Sequence, residues 1–345
     1  VRAALKNPAV AKSVIGNGAL VRALLATPAM RDQAAVRQLV QSRMFVKIMD
    51  CPGIHGALSD VAVKWLTKSI AAAQPHESHL RKAYSLLSVS LRELGRIDEA
   101  LAKLNEGLAV VGDDPEIRFY LGHINTTLGN LEDAAKNYEL TLKTDVSNNF
   151  TSMDVGILGF KTRHNLAGVY FAMGKYQEGK AQLLTAIQEA PQFLPSAFEL
   201  FDQGLASGDF AAAKIAIDHV ESTDGPSKSW VEMTVKFADK VGGPQNAEMA
   251  LRSAFERHPE SVETRRAFGR HCLQNGDMST GVAILESIAG HDAEAAYYLG
   301  IEANRRGDFG TALVWMERSL ALNPAHAETA EQVENLKRLL NNGDK

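Results

Sequence analysis

The chain has 345 residues, 45% of them hydrophobic and 23% charged, which is the balance of a folded globular protein and excludes a disordered one. Its formal net charge of −4 excludes the strong basic excess of a typical nucleic-acid binder. Two cysteines cannot build a disulfide framework, and no run of 18 apolar residues is present, so a cytoplasmic protein without membrane insertion is expected.

Residues 1–80 are helical in pattern but irregular in spacing. VRAALKNPAV and VRALLATPAM are alike across 20 positions, and each is a short apolar helix stopped by a proline, Pro8 or Pro28. The first of them is too short and too broken to be a signal peptide. A longer helix is expected from Pro28 to about Met49, with Val36, Leu39, Val40 and Phe45 on one face. CPGIHG at 51–56 should break it. Ser59 or Asp60 should then cap a helix to about Ala73, with Val61, Val63, Leu66 and Ile70 as its apolar positions. This region reads as an atypical N-terminal cap or as the tail of a domain preceding Val1.

From Leu80 the spacing becomes regular. Turn glycines stand at Gly95, Gly129, Gly174, Gly208, Gly242, Gly276 and Gly307, in steps of 34, 45, 34, 34, 34 and 31. Five residues after each comes a small residue: Ala100, Ala134, Gly179, Ala213, Ala247, Gly281, Ala312. Four further on comes a large one: Leu104, Tyr138, Leu183, Ile217, Leu251, Leu285, Met316. Helix stops follow at Gly112, Pro191, Pro259 and Pro324. Glycine ends a first helix in a left-handed turn, the small residue lets two helices close up, the large one fills the gap to the next unit, and proline ends the second helix.

This pattern resembles the tetratricopeptide repeat, whose period is 34 residues. Residues carrying the resemblance include Leu87, Gly95, Ala100 and Leu108; Leu121-Gly122, Gly129, Ala134 and Tyr138; Leu166, Tyr170, Gly174, Ala186 and Pro191; and Leu299-Gly300, Gly307, Ala312, Leu320 and Pro324. It implies an all-α fold, a right-handed superhelical solenoid of antiparallel helix pairs. About seven repeats are expected over 81–324, after the atypical helices of 1–80 and before a capping helix and tail over 325–345. Phe201 stands where glycine is usual, and Gly281 replaces an alanine. The 11-residue excess in the step from Gly129 to Gly174 falls between Val146 and Phe160, a loop insertion that costs little. Residues 82–200 also resemble the repeat region of bacterial family-2 glycosyltransferases, where such repeats serve as a helper or partner-binding module. The acidic motif of their catalytic domain is not in this chain.

Motifs that carry chemistry read as structural. Gly16-Asn-Gly18 lacks a third glycine and a preceding strand. Cys51 with His55 falls short of the four ligands of a zinc site, and His76 with His79 lacks the spacing of a zinc protease pair. Asn125-Thr-Thr127 and Asn149-Phe-Thr151 match a glycosylation sequon without other support. No catalytic residue, metal site or cofactor is expected.

The resemblance further implies that stacked first helices line an inner groove. The positions concerned are Phe119 and His123, then Lys161, His164 and Asn165, then Phe198 with Asp202, Lys236, Arg266 with Arg270, and Tyr297. Asn165 and Lys161 are placed to hold a peptide backbone or carboxylate, and Arg266 with Arg270, four apart on one face, to grip an anion. The aromatic side chains are the anchors such a groove uses. The expected function is a non-catalytic protein–protein interaction scaffold, with a peptide or protein partner and no nucleic acid. Two alternatives stay open: the non-catalytic repeat region of a larger bacterial enzyme, a glycosyltransferase first, and a self-assembling scaffold, a homo-oligomer.

Overall fold

A computed structural model describes residues 52–75, 77, 79–144 and 154–343, with side chains described from residue 59 to residue 341. The helices expected before Pro8, before Pro28 and over 28–49 lie outside the described residues. So do Gly16–Gly18, Cys51, His76, the 147–153 part of the insertion and the sequon at Asn149. Compactness divides the chain into two units, Val1–Ala190 and Pro191–Lys345, inside the array that the sequence treats as one stretch. Among the described residues there are fifteen α-helices, one 3-10 turn and no strand.

The first unit holds α1 (Pro52–Ala72), α2 (His79–Glu93), α3 (Ile97–Val111), α4 (Pro115–Leu128), α5 (Leu131–Lys143), a 3-10 turn at Val155–Leu158, α6 (Phe160–Ala172) and α7 (Tyr176–Glu189). Three antiparallel pairs, α2/α3, α4/α5 and α6/α7, are the first three repeats. Val63, Leu66 and Ile70 of α1 pack on the core of Leu80, Tyr84, Leu87, Leu104 and Ile117. Helix α1 begins at Pro52, not at the Ser59–Asp60 cap expected from sequence. A proline fits the first helical turn, whose N–H groups have no intrahelical acceptor, so CPGIHG leads into the helix rather than separating two.

The second unit holds α8 (Pro195–Ser207), α9 (Phe210–Asp224), α10 (Lys228–Arg257), α11 (Val262–Gln274), α12 (Met278–Ala289), α13 (Ala293–Arg305), α14 (Phe309–Leu322) and α15 (Ala327–Gly343). Four repeats follow as α8/α9, the two halves of α10, α11/α12 and α13/α14. Helix α15 closes this unit, burying Val333 and Leu336 against Ala303, Ala312 and Met316. It is the capping helix that the sequence expects after Pro324.

The large position, expected to fill the gap to the next unit, also packs inside its own repeat. Tyr138, Leu285 and Met316 are at most 1% exposed, and each lies over a glycine sixteen residues earlier. A Cβ on Gly122 would fall 2.4 Å from the Tyr138 ring, one on Gly269 2.8 Å from Leu285, and one on Gly300 2.9 Å from Met316. The missing side chain of the first helix is the socket for the large residue of the second.

The turns hold to the expected register with one exception. Gly129 has φ 79°, and its N–H reaches Asn125 and Thr126 carbonyls, so a left-handed residue closes α4. In the fifth repeat the turn lies at Gly243, with φ 77° and ψ −173°, not at Gly242. Pro244 then starts the second half of α10, a separate helical segment beyond the kink at Gly243. Two adjacent glycines satisfy the same spacing, and only the proline's place marks which of them turns. In the second unit three turn glycines are followed by an aspartate that caps the next helix: Asp209 accepts from Ala212 N–H, Asp277 from Thr280 and Asp308 from Thr311. This Gly-Asp signal is legible in the sequence and sharpens the repeat boundaries.

Three substitutions test this packing. Gly122→Ala drives a methyl into the Tyr138 ring and should cost about 1–3 kcal/mol in urea unfolding. Gly243→Ala should cost a similar amount, because its backbone is closed to a side chain. Gly242→Ala should cost less than either, since only the mobile Asn246 side chain stands in its way. An equal loss at 242 and 243 would contradict the assigned turn.

Candidate binding groove

In the first unit the inner residues are engaged with one another. Phe119, expected to face a groove, is 6% exposed and packs with Ala134, Tyr138, Ile157, Leu166 and Val169. Its neighbour Ile157 comes from the 3-10 turn that ends the insertion, so the insertion roofs this position and turns a groove residue into core. His123 lies edge-on to Phe119 and Tyr138, with ring centroids 4.7 and 6.0 Å away. The Asn165 amide nitrogen lies 3.2 Å from His123 Nε2 and donates to it, joining α6 to α4. Burial, helped by the charge of Arg92, pushes the His123 pKa down from 6.5 to about 4.

Lys161 ion-pairs with Asp154, whose carboxylate also accepts from Gly156 N–H. The Lys161 hydrogen bond holds the Asp154 carboxyl below its usual range. Lys161 and Asn165, expected to hold a ligand, are thus both occupied inside the chain. His164 is half-buried on the same helix. On the neighbouring helices Lys82 Nζ lies 2.5 Å from Glu116 Oε1, and Glu116 is only 5% exposed. Burial raises the Glu116 carboxyl in spite of that lysine. The sequon asparagine Asn125 is also buried, 5% exposed, and its side chain donates to the Leu121 carbonyl.

The second unit is built differently. Three adjoining depressions of about 230, 210 and 270 Å³ run along its first helices. Phe198, Phe201 and Asp202 of α8 face Met233 and Lys236 of α10 in one. Glu232 links it to the next, walled by Arg266, Ala267 and Arg270 of α11. Glu294 and Tyr298 of α13 lead into the third, closed by Tyr297, His326 and Glu328. Shared walls make this one groove. The sequence places Phe198, Asp202, Lys236, Arg266, Arg270 and Tyr297 on it, and all six line it.

Their states differ. Lys236 lies 2.7 Å from Asp202 and 5.4 Å from the Phe201 ring centre. Arg266 is not an open anion grip. Its side chain is 11% exposed and meets three carboxylates, Glu263 at 2.6 Å, Asp292 at 3.3 Å and Glu294 at 3.0 Å. A buried guanidinium needs such partners, and here they fix α11 to the start of α13. Arg270 is exposed, donates to the Tyr298 hydroxyl at 3.2 Å and lies 5.0 Å above that ring. The Tyr297 hydroxyl donates to Glu328 Oε1 at 2.6 Å. Burial first, and then the Glu328 hydrogen bond, push the Tyr297 phenol up to about 12.

Residues that sequence reasoning missed are Met233, Glu294, Tyr298, His326 and Glu328. The last was within reach: Glu328 stands 34 residues after Glu294, one further period beyond Pro324. The capping helix therefore supplies a groove wall as an eighth first helix.

Residues 86–146 and 160–193 match family models of the tetratricopeptide repeat. These two stretches carry tetratricopeptide repeats. Similar solved structures include a tetratricopeptide repeat protein from Parabacteroides merdae, 12% identical, with TM-score 0.42 over 75% of this chain and 99% of that one. MamA from Desulfovibrio magneticus RS-1 is 17% identical, with TM-score 0.40 over 53% and 98%. The C-terminal part of a repeat protein from Cytophaga hutchinsonii is 15% identical, with TM-score 0.38 over 71% and 98%. No curated protein matches the chain. No described helix is long and apolar enough to cross a membrane.

His123 gives a pH test. Its folded pKa is depressed, so the unfolded chain binds the proton first. The associated stability is complete above pH 6.5 and is lost as pH falls toward 4. Between pH 7.5 and 4.5 the native chain should lose about 2–3 kcal/mol more than a His123→Gln variant, measured by urea unfolding. Equal losses would show that the ring does not titrate as its burial requires.

Proposed function

We propose that the chain is a non-catalytic scaffold that holds an extended segment of a partner protein in the groove of the Pro191–Lys345 unit. Tetratricopeptide arrays are typical of protein–protein interaction scaffolds, and the reading rests on one observation: three depressions share walls along successive first helices. The groove alternates apolar anchors, Phe198, Met233 and Tyr297, with exposed charges, Asp202, Lys236 and Arg270. Such a mixture suits a peptide that offers both side-chain types in sequence. In the first unit the equivalent positions are engaged internally, which directs the reading to the second.

Affinity capture from a lysate of the source cell, followed by quantitative mass spectrometry, tests it. A folded Phe198→Ala, Lys236→Ala, Arg270→Ala variant should recover its partner at about one tenth of the native level or less. Val314→Ser, on the exposed side of α14, should recover it in full. Undiminished recovery by the triple variant would remove the groove assignment.

A further inference from the structure

The third depression, at the C-terminal end of the groove, has walls unlike those of the other two. Three aromatic rings bound it. Tyr297 and Tyr298 have centroids 5.9 Å apart at 65°, and Tyr297 and His326 5.6 Å apart at 67°. Rings set at such angles form a corner instead of a stack. His326 Nδ1 lies 3.2 Å from the Thr329 backbone N–H, which holds the ring against the start of α15. Two carboxylates, Glu294 and Glu328, border the same space; Glu294 is already shared with Arg266, whereas Glu328 meets a neutral donor, the Tyr297 hydroxyl. Lys228 is 60% exposed and lies 3.7 Å from Glu294, on the open side. The aromatic wall already holds a cation elsewhere, because the Arg270 guanidinium lies on the Tyr298 ring.

We propose that this corner, walled by Tyr297, Tyr298 and His326 and edged by Glu294 and Glu328, receives one basic side chain of the bound peptide. The claim rests on the groove reading above and adds the chemistry of one position. Aromatic faces attract a cation through their quadrupole, and Glu328, with a share of Glu294, supplies its charge complement. The volume of about 270 Å³ leaves room for a long side chain entering by its charged end. The surrounding unit favours the same sign: residues 191–345 carry 15 Lys and Arg against 23 Asp and Glu, a formal net charge of −8. A basic segment is therefore drawn to this unit before it docks.

The test uses the full chain and two fluorescein-labelled, acetylated and amidated peptides, identical except for one central arginine or norleucine, in fluorescence anisotropy. The arginine peptide should bind about tenfold more tightly. Tyr297→Leu with Glu328→Gln should bring the two peptides to equal affinity. Tyr297→Phe, which keeps the ring and loses only the hydroxyl bond to Glu328, should preserve the preference. The double variant should still bind the norleucine peptide as the native chain does, which a merely structural role for Tyr297 would not allow. Equal binding of the two peptides by the native chain would overturn the basic-side-chain assignment. So would a preference that survives the double variant. Both results leave the groove itself untouched, because it stands or falls on the capture experiment.

Discussion

The structure depends on a close approach between the two helices of a repeat, and in three of the seven a large side chain occupies the space that a missing one leaves. Gly122 under Tyr138, Gly269 under Leu285 and Gly300 under Met316 are the same arrangement three times, with sixteen residues between socket and plug. Each plug is almost fully buried. Because packed interiors tolerate few voids, the pair fixes both the distance and the rotation of the two helices. The fourth repeat solves the problem otherwise. Phe201 stands where the socket glycine would be and is buried itself, and closeness comes from Gly204, whose Cβ would meet the Ala213 backbone at 2.9 Å. Moving the contact toward the turn gives Phe201 room, and it becomes a wall of the groove.

The same repeat plan gives two different inner surfaces. In the first unit the insertion returns as a short 3-10 turn whose Ile157 joins the core beside Phe119. Asp154, three residues before it, takes the Lys161 ammonium, and Asn165 turns to His123. These contacts bind consecutive repeats together by polar pairs and leave little unsatisfied charge. The second unit has no such insertion among its described residues. Its charges pair across the groove at the surface, as Asp202 with Lys236, or stay exposed, as Arg270. An exposed pair of this kind contributes little to stability, so a ligand can replace one of its halves at small cost.

Spacing alone carried most of the fold. Six of the seven turn glycines, the small and large positions and the closing helix were readable, because backbone handedness and side-chain volume act within one repeat. Errors arose where a neighbouring segment intervenes. Phe119 follows the groove pattern, but Ile157, from the end of a variable loop, covers it. Arg266 looks like a surface grip with Arg270, yet Asp292 and Glu294, on the next helix pair, bury it in carboxylates. The shift from Gly242 to Gly243 has a local cause: two glycines permit either turn, and Pro244 selects the second by its own fixed φ. His326 and Glu328 were missed because α15 was read as a lid on the core, when its first turn also faces the groove.

Arg266 connects these observations. A guanidinium at 11% exposure is costly to bury, and its three carboxylates come from two helices, Glu263 on α11 and the Asp292–Glu294 segment that starts α13. Asp292 at the same time caps α13 by accepting from Ala295 N–H at 2.7 Å. One charge therefore sets the spacing of two first helices and the direction in which the second begins. Tyr297 and Tyr298 lie on that helix just after its first turn, and Arg270 lies one turn further along α11. The ring–guanidinium contact between Arg270 and Tyr298 is thus positioned by the buried pair beneath it. A groove whose walls are held by internal charge pairs loses less side-chain freedom when a peptide enters, and that saving appears as affinity. In this protein the buried arginine shapes the groove, and the exposed one lines its open side.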